Sequence, residues 1–184
     1  MSATASITRI HDLIDRWRAL GSERLPSGVE CIGRAPDGEQ HEWLHTLFPA
    51  LDERGLERLE QELQRHLPPS LRQLYRSCGG MHLFQGAFQV HGRCREPSLH
   101  DLSLQPEDLV ALNRELDVLV WKPPGAVAFA SNGWDRSLHV VGMGRTPQEV
   151  VRCDRRTGRI FERHENVFSC IEARLYRLDA RFLR

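Results

Sequence analysis

The residues whose types and spacing could do chemistry most directly are His41-Glu42-Trp43-Leu44-His45, an H-E-x-x-H run. On a helix, two histidines four residues apart face one zinc ion and the glutamate acts as general base for hydrolysis. Catalytic zinc needs a third protein ligand as well. A metzincin continuation would put Gly and His three and six residues after His45, where this chain has Phe48 and Leu51. Glu57, Glu60 and Glu62 could in principle supply a ligand from the next helix, but their spacing is that of a solvated face. Pro36-Asp37-Gly38 and Pro49 leave room only for a short helix. The favoured reading is therefore a surface or half-buried segment, with a zinc hydrolase kept as the last alternative.

The remaining candidates are less complete. Cys94 and His100 could be drawn as nucleophile and base, but no third group or nucleophile elbow accompanies them. Gly142-Met143-Gly144 is a lone G-x-G with no clear helix after it, so it reads as a turn and not as a phosphate cradle. Arg152, Arg155, Arg156, Arg159 and Arg163 form one basic cluster, interleaved with Asp154, Glu162 and Glu165 and lacking aromatic platforms. A solvated sheet edge protected against aggregation fits it better than a nucleic-acid surface. Trp121 and Trp134 stand in loop-like contexts, as interface anchors or as lids on the end of a core. No catalytic, cofactor-binding or metal residue is assigned. The partner-binding candidates are Trp121, Trp134, Asp135 and Arg136, with Arg155 and Arg156 as a weaker rim.

The elements that must position these residues follow from periodicity. Ser6 is a possible N-cap for a first helix whose apolar face is Ile7, Ile10, Leu13, Ile14, Trp17 and Leu20, closed by Gly21. Residues 21–40 read as loop with a possible strand at Val29–Gly33, and 41–48 are ambiguous. Asp52 caps a helix through Leu67 with Leu56, Leu59 and Leu63 inward. Leu67–Gly80 reads as a short helix opened by proline and closed by Gly79-Gly80, its stripe being Leu71, Leu74, Tyr75 and Cys78. A hairpin around Gly86 follows, then a loop over 92–105 and a helix over Pro106–Leu116. Four strands are expected at Ala126–Ala130, Leu138–Val141, Glu149–Cys153 and Arg159–Arg163. A last helix, capped by Asn166 or Ser169, carries Phe168, Ile171, Leu175, Leu178 and Phe182 on one face. The order predicts an α+β fold, a mainly antiparallel sheet flanked by helices, with residues 1–50 as an N-terminal extension of helix plus loop and 51–184 as the main domain.

Composition narrows the function classes. The 184 residues suffice for an ordinary core. Basic and acidic residues balance at 25 each, so no net field draws the chain to nucleic acid or to an anionic membrane. Five cysteines at wide spacings contain no C-x-x-C and read as reduced core thiols of a cytoplasmic protein. The first residues lack the apolar run of a signal peptide, and no stretch is long and apolar enough for a membrane helix.

Residues from about 52 to 180 resemble the SUKH superfamily, which includes fungal cell-wall assembly regulators and many bacterial toxin-immunity proteins. The first half of the resemblance is Leu56–His66, Leu67-Pro68, Ser70–Ser77 and Cys78-Gly79-Gly80, with cysteine where the family often has asparagine. The second is Val127-Ala128-Phe129-Ala130, Asn132-Gly133-Trp134-Asp135, His139-Val140-Val141, Val150-Val151-Arg152 and the closing helix Phe168–Leu178. The resemblance implies a non-enzymatic protein without cofactors that binds and neutralises a cognate toxin in the bacterial cytoplasm. A regulatory protein-binding scaffold of the same fold is the alternative.

Overall fold

The computed structural model describes residues 3–35, 43–93 and 105–182. These residues form an α+β fold: a nine-stranded, wholly antiparallel sheet whose strands lie side by side in chain order, with five α-helices packed on it. The expected helices are present. Helix α1 (Ala3–Asp15) buries Ile10 and Ile14 and tightens into a 3-10 turn over Arg16–Leu20, which ends at Gly21 with φ 107°. Ser6 lies inside α1 and does not cap it. Helix α2 (Glu53–Leu63) is capped by Asp52, whose Oδ1 accepts the Gly55 N–H at 2.7 Å, and buries Leu56, Leu59 and Leu63. It stops at Gln64 in the left-handed region, before Leu67.

Helix α3 (Pro69–Ser77) buries Leu71, Leu74 and Tyr75, and the Tyr75 hydroxyl donates to the His91 carbonyl at 2.7 Å. The two glycines after it serve different ends. Gly80 has φ 150°, whereas a side chain on Gly79 would collide with the Pro49 carbonyl oxygen. The second glycine supplies the unusual backbone and the first supplies the close approach.

The N-terminal fifty residues differ from the expected helix plus loop. Besides α1 they contribute strands β1 (Ser22–Arg24), β2 (Glu30–Arg34) and β3 (Trp43–Leu47), and β3 pairs with β4 (Met81–Leu83), so they continue the one sheet. Strand β1 gave no signal because all three of its residues are exposed, leaving no apolar alternation to read. Strand β5 (Phe88–Val90) closes the hairpin, and helix α4 (Leu109–Leu116) starts at Asp108, whose carboxylate accepts from the Val110 and Ala111 amides. The meander is β6 (Val127–Asn132), β7 (Leu138–Val141), β8 (Val150–Cys153) and β9 (Ile160–His164). Helix α5 (Val167–Phe182) closes the fold, with Asn166 and Ser169 exchanging side-chain and backbone hydrogen bonds at its start.

Both faces of β6, β7 and β8 are covered. Val127, Phe129, Val141 and Val150 join the large core under α1, α2, α3 and α5. Ala128, Leu138, Val140, Val151 and Cys153 join a second cluster with Leu112 and Leu116 of α4. Two-sided burial explains why these strands read as continuous apolar runs instead of alternating ones. Among the described residues, no helix is long and apolar enough to cross a membrane.

Candidate functional site

Strand register brings the polar residues of the meander together. His139 of β7 pairs with Arg152 of β8, and Arg152 pairs with Glu162 of β9. Directly opposed residues of antiparallel strands share a face, so these three side chains form one row across the sheet. His164 opposes Val150, which opposes Val141, in the row beside it. The face they share is the one α5 crosses. On α5, Cys170, Arg174, Arg177 and Arg181 follow at i, i+4, i+7 and i+11, a single helical stripe beside the apolar one.

Where the stripe meets the row, a cleft of about 270 Å³ opens, lined by Asn132, Trp134, Asp135, Arg152, Glu162, Arg174, Arg177 and Arg181 among others. Its polar groups are tightly cross-braced. Arg152 Nη1 donates to Glu162 Oε1 at 2.7 Å, its Nη2 to Asp135 Oδ2, and its Nε to Ser137 Oγ at 2.9 Å. Arg177 Nη1 holds both Glu162 oxygens, at 2.7 and 2.8 Å. Arg174 Nη2 reaches Asn132 Oδ1 at 2.5 Å, and its guanidinium lies 5.8 Å over the Phe88 ring. Arg181 stacks over Trp134 at 5.3 Å.

Charge in the cleft is unbalanced, with four guanidiniums facing two carboxylates. Burial acts to raise the Glu162 pKa, but hydrogen bonds from Arg177 and Arg152 outweigh it and keep the carboxyl ionised. Burial, and then the charge of Arg152, lowers the pKa of Arg174, whose Nε is buried without a hydrogen-bond partner. Beneath the guanidiniums sits His139, fully buried, with Nδ1 3.1 Å from Cys170 Sγ. Desolvation first, and the charge of Arg174 second, push its pKa well below the ordinary histidine value, so the ring is neutral at pH 7.

The sequence candidates divide between two places. Trp134 and Asp135 are at the cleft, and Arg136 follows them in the exposed β6–β7 turn with φ 52°. Trp134 is 65% exposed, the most open aromatic in the protein's described part. Trp121 is elsewhere: half-buried, it packs on the α4-side cluster against Gly158 and lids that core. Arg155 pairs with Glu115 of α4 at 2.6 Å, and Arg156 is exposed in the same β8–β9 turn. Arg152 and Arg163 pair with Glu162 and Glu149.

Sequence reasoning missed Arg174, Arg177 and Arg181, which the three- and four-residue spacing on α5 could have exposed. Of the H-E-x-x-H run, His41 and Glu42 lie outside the described residues, as do Cys94 and His100. His45 is on strand β3 and not on a helix, which removes the geometry the motif requires. Its ring is buried, edge-on to Phe84 at 4.6 Å and near Trp17 at 6.2 Å.

No protein-family model matches the chain, and no curated protein matches it. The fold and the site therefore define an α+β protein with an arginine-lined, tryptophan-flanked cleft.

Proposed function

We propose that this protein is a SUKH-type immunity protein, a non-enzymatic partner that binds a cognate toxin in the bacterial cytoplasm and blocks it. The observation that carries this reading is the cleft: an exposed Trp134 beside guanidiniums that outnumber their carboxylates, braced on strands and a helix instead of on loops. Such an aromatic and arginine grouping is what interface hot spots are made of. The helix, proline, helix, Gly-Gly and hairpin order over α2, α3, β4 and β5 supports the family resemblance. Cross-bracing within the cleft lowers the ordering cost of binding, because the side chains are already held. The surplus positive charge suits an acidic side chain on the toxin, with Trp134 covering apolar surface next to it. An interface on the order of 1,600 Å² would then occlude or distort the toxin's active site.

The test is co-expression with the toxin encoded beside this gene. A stable complex and restored growth are expected, and Arg181→Glu together with Trp134→Ala should weaken the complex at least ten-fold. Failure of the wild-type protein to bind that neighbour or to rescue growth overturns the reading. Recovery of host proteins without any toxin would move it to a regulatory scaffold.

A further inference from the structure

We propose that His139, His164 and Cys170 form a binding site for a thiophilic d10 cation, Zn2+ or Cu+, that staples helix α5 to strands β7 and β9. The three side chains come from three elements and each offers one ligand atom, all within 4.8 Å of one another. Bonds of about 2.0 Å to imidazole nitrogen and about 2.3 Å to thiolate put ligand atoms about 3.3–3.7 Å apart, so the side chains close in on the ion as it binds. His139 and Cys170 are fully buried and His164 is nearly so. His139 Nε2 and His164 Nε2 are both buried without a hydrogen-bond partner, an expense that apolar residues would have avoided.

The donor set selects the ion. Two imidazoles and one thiolate suit soft or borderline metals and not Mg2+ or Ca2+. Cu+ accepts three ligands and makes a neutral centre with one thiolate, which suits a site next to Arg174. Zn2+ takes a fourth donor, and the nearest carboxylate oxygen, Glu162 Oε2 at 3.6 Å from His164 Nε2, would supply it only by sharing its hydrogen bond from Arg177. His164 also borders a second, shallow cavity, lined by Arg145, Arg163, Glu149 and Glu165 among others, so one of the three ligands lies next to solvent. On binding, Cys170 loses its proton to solvent as the metal–sulfur bond forms.

Titration of the purified, metal-stripped chain with Zn2+, and separately with Cu+ under reductant against a chromophoric chelator, tests the proposal. One equivalent of at least one ion should bind with submicromolar affinity and raise the unfolding midpoint. Cobalt substitution should give a thiolate-to-metal charge-transfer band. Cys170→Ser should remove that band and weaken binding at least ten-fold, while Cys94→Ser and His45→Leu leave both unchanged. Should Cys170→Ser not fold by circular dichroism, His164→Gln, at the end of a strand, carries the affinity test. Absence of stoichiometric binding by either ion, or binding that survives these substitutions, overturns the proposal. Neither result depends on the toxin-binding reading.

Discussion

Two buried histidines mark two regions of this molecule with opposite physics. His45 of β3 lies in an aromatic box with Trp17 and Phe84, and neither ring nitrogen has a protein partner. His139 of β7 lies among Cys170, His164 and the guanidiniums of Arg152 and Arg174. The first belongs to the only residues that spelled a catalytic motif, and the second belongs to none. Chemistry in a folded chain depends on what converges from other elements, so an apolar box surrounds one histidine of a promising motif while an unmarked histidine gains a thiol, a second imidazole and charged neighbours.

That contrast can be broken at several points. The largest effect is expected at Phe84, fully buried and in ring contact with His45, Trp17 and Phe182. Phe84→Ala should cost about 3–5 kcal/mol in urea unfolding, and a loss below 1 kcal/mol would mean the box is not a packed core.

Acid acts next. Burial first, and the charge of Arg16 second, hold the His45 pKa down at about 4. The unfolded chain, near 6.5, takes the proton first, so stability present at neutral pH is lost as pH falls from 6.5 toward 4. His45→Leu should therefore spare the protein about 2 kcal/mol of the loss between pH 7 and pH 5. His82 and His91, each also lowered to about 4, and His139 and His164, lowered as well, all mainly by burial, keep the remaining slope. Equal acid sensitivity in wild type and variant would place the proton uptake elsewhere.

On the cleft side, Glu162→Gln strips Arg177 of its carboxylate partner and leaves Arg152 only Asp135. A loss of about 1–2 kcal/mol is expected, and sulfate should restore more of it than chloride at equal ionic strength. No preference for sulfate would argue that the guanidiniums are too well hydrated to seek an anion.

The smallest effect on stability belongs to Trp134→Ala. With the indole 65% exposed, unfolding should change by less than about 0.5 kcal/mol. In the toxin complex proposed above, the same substitution should nevertheless weaken binding ten-fold or more by calorimetry. A large stability loss would make Trp134 a structural lid, the role Trp121 plays on the other face.

Much of the scaffold was open to sequence reasoning because local rules decide it. The Asp52 cap, the leucine stripe of α2, the proline-opened α3 and the capped α5 each need only a few neighbouring residues. The strand at Leu138–Val141 was legible in full, since a short apolar run between turns leaves few alternatives. Strands β1 and β3 were not, because one is wholly exposed and the other mixes Trp, His and Thr without clean alternation. Trp134 and Asp135 were picked out as exposed loop residues and do flank the cleft. Trp121 looked the same in sequence, yet Gly158, thirty-seven positions away, gives it a surface to lie on.

By itself the order of residues determined which segments turn, cap and alternate, and hence an antiparallel α+β fold, because those preferences act within about one helical turn or one strand. Only the tertiary structure decided that Arg152, Glu162 and His139 share a row, and that Cys170 and three arginines of α5 stand over it. Register between strands and the path of a helix across a sheet are set by packing of the whole core, and no local pattern encodes them.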